Sequence, residues 1–259
     1  MKNLILKINN HLATVTLNRP EIRNAFNSEM IKELTETFSQ LGHRSDIRAI
    51  CLSGEGKAFC AGGDLNWMKE MVEFSNEENL ADARQLFEMF EAIHFCNIPI
   101  IGKVHGSVFG GGLGLLAGCD FVVADSKTQF CFSEVKIGIA PAVISPFILR
   151  KIDRAQVAPW MISGRIFGVD VALRMGLIHQ VGEEDTLNDQ VDMALAWFND
   201  VGPAACRATK RLIAKLPELD WNEKKEASTE LIAELRVSKE GQEGLRAFLS
   251  KTKPSWRAT

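Results

Sequence analysis

A chain of 259 residues is long enough to bury a substantial core, and 46% hydrophobic with 24% charged residues is the make-up of a globular protein, not a disordered or fibrous one. Lys+Arg of 30 against Asp+Glu of 33 leaves no global basic field to gather nucleic acid. No apolar run reaches the roughly 18 residues a bilayer span requires, which excludes a membrane helix.

In chain order, Leu4, Leu6 and Ile8 alternate with polar residues, as do Ala13, Val15 and Leu17, and Asn9-Asn10 lies between them. This predicts an opening β-hairpin, ended at Asn18-Arg19-Pro20 because proline cannot donate to a continuing ladder. Met30, Ile31, Leu34, Phe38 and Leu41 recur at helical spacing, and Ile47 to Leu52 reads as a strand buried on both faces. Leu65 to Val72 opens a helix. Leu80, Ala83, Phe87, Phe90 and Ile93 mark a longer one, followed by strands at Ile100 to Val104 and Asp120 to Ala124. Strands alternating with helices predict an α/β layered core. From about Ala142 helical stretches dominate, broken by the strand-like Leu177 to Val181 and by turn signals at Gly202-Pro203 and Leu216-Pro217-Glu218. The division drawn is a β-containing core over residues 1–200 and a helical region over 201–259. Lys and Arg between Arg207 and Arg257 alternate with acids and read as solvated helix faces.

Six cysteines stand singly, without CxxC or Cys/His metal spacing, mostly inside apolar runs. They read as buried free thiols in a reducing compartment, and no metal site is expected. The N-terminus carries no signal-peptide pattern, so the cytoplasm is the expected location.

Three segments carry chemistry. In Lys57-Ala58-Phe59-Cys60-Ala61-Gly62-Gly63-Asp64-Leu65, a glycine pair at a strand-to-helix junction lets the backbone approach a ligand and aim N–H groups at it. Asp64 reads better as the N-cap of the following helix, accepting from Trp67 N–H, than as a catalytic acid. The segment His105 to Gly114 holds five glycines within nine residues, so something requires bare backbone there. Its match to a dinucleotide fingerprint, Gly112-x-Gly114-x-x-Ala117, is set aside because too few residues remain before the next strand for a crossover helix. In Phe130 to Pro141, Glu134 is the one acid of a mostly apolar run. Such surroundings raise a carboxyl's pKa and suit proton transfer, while a strand-face ion pair with Lys136 explains it equally well. The histidines have no partner acid or ligand spacing, and His94, His105 and His179 are expected to be hydrogen-bonded in the core.

Together these segments resemble the enoyl-CoA hydratase/isomerase family, the crotonase superfamily. The resemblance extends to Leu17-Asn18-Arg19-Pro20 with Arg23-Asn24-Ala25, to Cys119-Asp120, to Ser163-Gly164-Arg165, and to Ala172 through Leu177, and so spans nearly the whole chain. It implies a spiral of ββα units with a helical C-terminal region that drives assembly into a homotrimer or a hexamer of two trimers. It also implies an acyl-CoA substrate and no separate cofactor, CoA being part of the substrate. By motif position, the N–H groups of Gly63 and Gly111 would form an oxyanion hole for the thioester oxygen. The Ala61 carbonyl would face the CoA adenine, Asp64 belongs to the substrate-binding loop, Arg23 and Lys251 are candidates for the CoA phosphates, and Glu134 stands at the family's second catalytic glutamate.

The first glutamate, usual two residues after the glycine triplet in hydratases of this family, is Gly114 here. A lone Glu134 is compatible with hydration and with moving a double bond between carbons. The run from Phe132 to Ala142 with Ile144-Ser145-Pro146 is similar to bacterial hydratases of branched or carboxylated enoyl-CoAs, nearest the methylglutaconyl-CoA hydratase type of leucine breakdown. Hydration is favoured, with a double-bond isomerase and a non-catalytic CoA-binding relative as alternatives.

Overall fold

The computed structural model describes residues 1–257. The hairpin forms as its alternation predicts. Strands β1 (Leu4–Asn9) and β2 (Leu12–Leu17) pair antiparallel across Asn10, whose positive φ of 52° is one that asparagine tolerates. Helix α1 (Ser28–Gly42) starts where the Asn27 side chain accepts Met30 N–H, and it buries Met30, Ile31, Leu34, Phe38 and Leu41. The chain returns through β3 (Ala49–Gly54), parallel to β2. Helices α2 (Leu65–Glu73) and α3 (Asn76–His94) carry it to β4 (Ile100–Val104), parallel to β3.

A short strand, β5 (Ser107–Phe109), and the two-turn helix α4 (Gly111–Ala117) then lead to β6 (Phe121–Asp125), parallel to β4. The connection expected to be too short for a crossover helix holds one, α4, after the short strand β5. Next come β7 (Gln129–Cys131), α5 (Ser145–Lys151), α6 (Arg154–Ser163), α7 (Val169–Arg174) and β8 (Gln180–Gly182). Leu177 and Ile178, expected in this strand, lie outside it: Leu177 N–H donates to Ala172 O of α7, and both side chains are buried. Helices α8 (Leu187–Ala196), α9 (Pro203–Lys215), α10 (Trp221–Val237) and α11 (Lys239–Leu249) follow.

The main sheet has the order β1-β2-β3-β4-β6-β8, parallel beyond the hairpin. Both faces are covered. The principal core lies under α1, α3, α4 and α5, and a smaller cluster of Ala49, Cys51, Ile101 and Val123 lies under α8. That double burial is why Ala49 to Leu52 of β3 are continuously apolar.

A second column of pairings is invisible to periodicity. Phe26 bridges Gly63, Cys60 bridges Val108, β5 pairs β7, and Phe130 bridges Phe167. Each turn of the chain thus lays one long strand in the main sheet and one very short one in this column. The cysteines are unpaired, and burial raises the Cys51, Cys60 and Cys119 thiols to about 12.

Candidate active site

The second column builds the site. Phe26 N–H donates to Gly62 O at 2.7 Å, and Asp64 N–H donates to Phe26 O at 2.8 Å. In such a bridge the residue between the two bonds turns its own N–H and C=O the other way. That residue is Gly63, and its N–H meets no acceptor among the described residues. Phe109 N–H donates to Cys60 O and Gly110 N–H to Cys131 O, both at 2.9 Å, so the three sequence segments lie side by side. Gly110 has φ 50° and ψ −124°, a conformation closed to most side chains, and it starts α4. Gly111 opens that helix, and its N–H likewise has no acceptor among the described residues, as befits a first helical turn. Gly63 and Gly111 are partly exposed while Gly62, Gly110 and Gly112 are buried. A Cβ on Gly62 would fall 3.2 Å from Phe109 O and 3.9 Å from Gly110 Cα, a direct measure of how close the glycine clusters approach.

Glu134 belongs to this assembly. It sits in a 3₁₀ turn, Glu134–Ile137, not on a strand, and the ion pair with Lys136 is absent: Lys136 Nζ stands 3.6 Å from Cys131 Sγ instead. The turn replaces the strand because the main chain closes on itself, with Lys136 N–H donating to Ser133 O and Gly138 N–H to Val135 O. A Cβ on Gly110 would meet Glu134 Oε1 at 3.2 Å, so the carboxyl lies against the residue preceding Gly111. Glu134 Oε2 is buried without a hydrogen-bond partner. Burial raises its pKa above the ordinary value, outweighing the opposing hydrogen bond from its own backbone N–H.

Asp64 caps α2 by accepting Asn66 N–H at 2.8 Å, one residue earlier than the Trp67 N–H expected. Its second oxygen holds Arg19 Nη2 at 2.7 Å, with side chains 9% and 14% exposed. Burial alone would raise the Asp64 pKa, but the Asn66 N–H and the Arg19 guanidinium together outweigh it and hold the pKa low. Arg19 also donates to Ala25 O, and buried Asn24 donates to Glu55 O and Ala58 O. Arg23 and Asn24 adopt left-handed φ of 55°, which turns Arg23 O to accept Ala61 N–H at 2.9 Å. The Ala61 carbonyl takes no donor among the described residues, and the Arg23 side chain is exposed. Lys251 follows α11, exposed, and no contact among the described residues joins it to the loops.

Arg23, Ala61, Gly63, Asp64, Gly111 and Glu134 are therefore brought together, and Lys251 is not. Sequence reading missed the supporting side chains. A Cβ on Gly63 would meet Met68 Cε at 2.8 Å and the Trp67 ring at 3.6 Å, and Trp67 Nε1–H donates to Asp82 at 3.1 Å. A Cβ on Gly114 would meet Phe90 Cε1 at 2.6 Å and Ile144 Cγ2 at 2.7 Å. Of the histidines, half-buried His105 donates to Gly56 O, and His179 accepts Val122 N–H but is exposed, outside the core expected for it. His94 departs from expectation, making ring contacts with Phe95 and Phe147 and no hydrogen bond among the described residues. A groove of about 840 Å³ elsewhere, between α9 and the ends of α4 and α5, shares no lining residue with the glycine loops.

A family model described as enoyl-CoA hydratase/isomerase matches residues 7–259. The chain is 29% identical to the (E)-benzylidenesuccinyl-CoA hydratase of Thauera aromatica, over 97% of this chain and 98% of that one. It is 25% identical to the trans-2-decenoyl-[acyl-carrier-protein] isomerase of Streptococcus mutans, over 98% of each. The crystal structure of an enoyl-CoA hydratase from Shewanella pealeana superposes with a TM-score of 0.94 at 33% identity, covering 98% of this chain and 96% of that one.

Proposed function

This chain belongs to the enoyl-CoA hydratase/isomerase family, and on that premise we propose that it hydrates an enoyl-CoA thioester with Glu134 as its single acid/base. Its fold is the crotonase fold and it is an enzyme of the enoyl-CoA hydratase/isomerase type. The observation that carries the reading is the Glu134 carboxyl against Gly110, one residue before the unspent N–H of Gly111 and across from that of Gly63. Water adds to the β-carbon of the enoyl chain while Glu134 takes its proton. The negative charge arrives on the thioester oxygen, where the two N–H donors stabilise it, each worth ~10²–10³ in rate in comparable sites. Glu134 then returns the proton to the α-carbon. A raised pKa suits both halves of that exchange.

The Ala61 carbonyl faces the CoA adenine in this reading, and Arg23 takes a CoA phosphate, supported by its exposure beside Ala61. Lys251 reaches CoA only from a neighbouring copy. Assembly into a homotrimer, or a hexamer of two trimers, draws support from apolar side chains left open on the last helices, among them Val237, Phe248 and Leu249. The substrate class is a branched or carboxylated enoyl chain, and the cytoplasm is the location.

A second reading, double-bond isomerisation, draws support from the single carboxylate and from the isomerase relative. Ultraviolet absorbance separates the two on crotonyl-CoA, 3-methylglutaconyl-CoA and a 3-enoyl-CoA. Loss of the conjugated band reports hydration, and its appearance from the 3-enoyl ester reports isomerisation. No turnover of any ester, with CoA esters still bound, overturns both.

A further inference from the structure

Phe26 is the residue that both glycine donors share. Its main chain bonds Gly62 O and Asp64 N–H, which fixes the direction of the Gly63 N–H between them. Its ring reaches the other donor: a Cβ on Gly111 would meet Phe26 Cε2 at 2.8 Å and Cδ2 at 3.2 Å. The side chain is 1% exposed and packs edge-on against Phe90, centroids 6.2 Å apart at 87°. Phe90 in turn stands 3.5 Å from the same Gly111 position.

The backbone of Phe26 is not free to drift. Arg19 holds the carbonyl of Ala25, and Asn24 ties the preceding turn to Glu55 O and Ala58 O. One side of Phe26 is thus anchored to the first glycine loop, and the other side is a rigid ring wedged against the start of α4. Every residue of α4 except Gly111 is buried, so the start of the helix is the part the core does not enclose and the part the Phe26 and Phe90 rings support.

We infer that Phe26 is a positioning residue that sets the separation of the Gly63 and Gly111 N–H donors. This rests on the oxyanion-hole reading above. Trimming the ring leaves a void behind Gly111, and α4 settles into it. The donors then no longer converge on one oxygen. Loosening a donor costs less than removing it, so the expected loss in kcat is about tenfold, with KM within about twofold.

The test pairs turnover with a spectroscopic readout. The CoA thioester of 4-dimethylaminocinnamic acid absorbs further to the red when its carbonyl oxygen accepts strong hydrogen bonds. The wild-type chain is expected to shift the bound probe to the red, Phe26→Leu to give about half that shift, and Phe26→Ala less still, in step with kcat on whichever enoyl-CoA the wild type turns over. Phe38→Leu serves as the control: Phe38 is equally buried, on α1. It should lose melting temperature to a similar degree and keep both kcat and the shift. Phe26→Leu with wild-type kcat and wild-type shift overturns the inference alone. A wild-type chain that binds the probe with no shift overturns the oxyanion-hole reading and takes this inference with it.

Discussion

The ring of Phe90 fills the space into which a side chain at Gly114 would grow, its Cε1 only 2.6 Å from where that Cβ would stand. Ile144 closes the same space from the other side at 2.7 Å. The position that carries an acid in two-glutamate relatives is therefore occupied here by packing. Gly114→Ala is expected to lose about 1–3 kcal/mol, as over-packed cores do, read by thermal melting. Gly114→Glu should fail to gain hydration activity unless Phe90 is trimmed at the same time. A single Gly114→Glu variant that folds normally and hydrates faster would contradict this packing argument.

Glu134→Gln should reduce turnover by about 10²–10⁴, the usual contribution of a general acid/base, with KM nearly unchanged. Steady-state rates on the preferred enoyl-CoA decide it, and full turnover in the variant removes Glu134 from the chemistry.

The same substitution carries a stability signature. Burial raises the Glu134 pKa above its ordinary value of 4.5, so the folded chain binds the proton more tightly than the unfolded one. Its ionisation thus destabilises the fold as pH rises from 4.5 through the raised value. Glu134→Gln should melt higher than wild type at neutral pH, and the gap should close below 4.5. Melting curves across that range test the sign; a constant gap at every pH would refute it.

The Arg19–Asp64 pair acts in the opposite direction. Its folded-state Asp64 pKa lies below 3.8, so its stabilisation is complete above that value and lost as pH falls through the lowered one. Asp64→Ala strands a guanidinium only 14% exposed and should cost about 2–4 kcal/mol, more than replacing both partners by apolar residues. A double-mutant cycle in urea measures the difference.

Gly110→Ala combines a strained backbone at φ 50° with a methyl group 3.2 Å from Glu134 Oε1. It should lower kcat by at least about tenfold, while the same change at Gly168, which meets nothing within 4 Å, leaves kcat alone. Equal rates in the two variants would show that Glu134 tolerates displacement.

Much of this was legible in the residues themselves. The hairpin, α1 and α3 announce themselves because one face of each is buried and the pattern repeats for several turns or pleats, and β4 because it is apolar on both faces. Strands β5 and β7 were missed because three residues are too few to show alternation. Glu134 stood out as an acid among apolar neighbours, but its 3₁₀ turn is fixed by local bonds that leave no periodic trace. Phe90 shows in the sequence only as one position of a helical pattern, and the rings of Phe26 and Trp67 carry no signal, because a buried aromatic ring looks the same in sequence whether it fills a void or props a donor. The glycines were conspicuous because bare backbone is costly. The Phe26 and Phe90 rings that meet Gly111 come from the approach to α1 and from α3, distant along the chain.

The burial of the thiols has a consequence for how this protein meets electrophiles. Only the thiolate attacks an alkylating reagent, and Cys51, Cys60 and Cys119, raised to about 12, hold almost none of it at neutral pH. Cys96 and Cys131 are buried as well, which leaves Cys206, half-buried on α9 in the groove apart from the glycine loops, its thiol also raised by burial but alone in being open to solvent. A maleimide dye should therefore attach to the folded chain at one place, and the stoichiometry of labelling becomes a count of unfolded molecules.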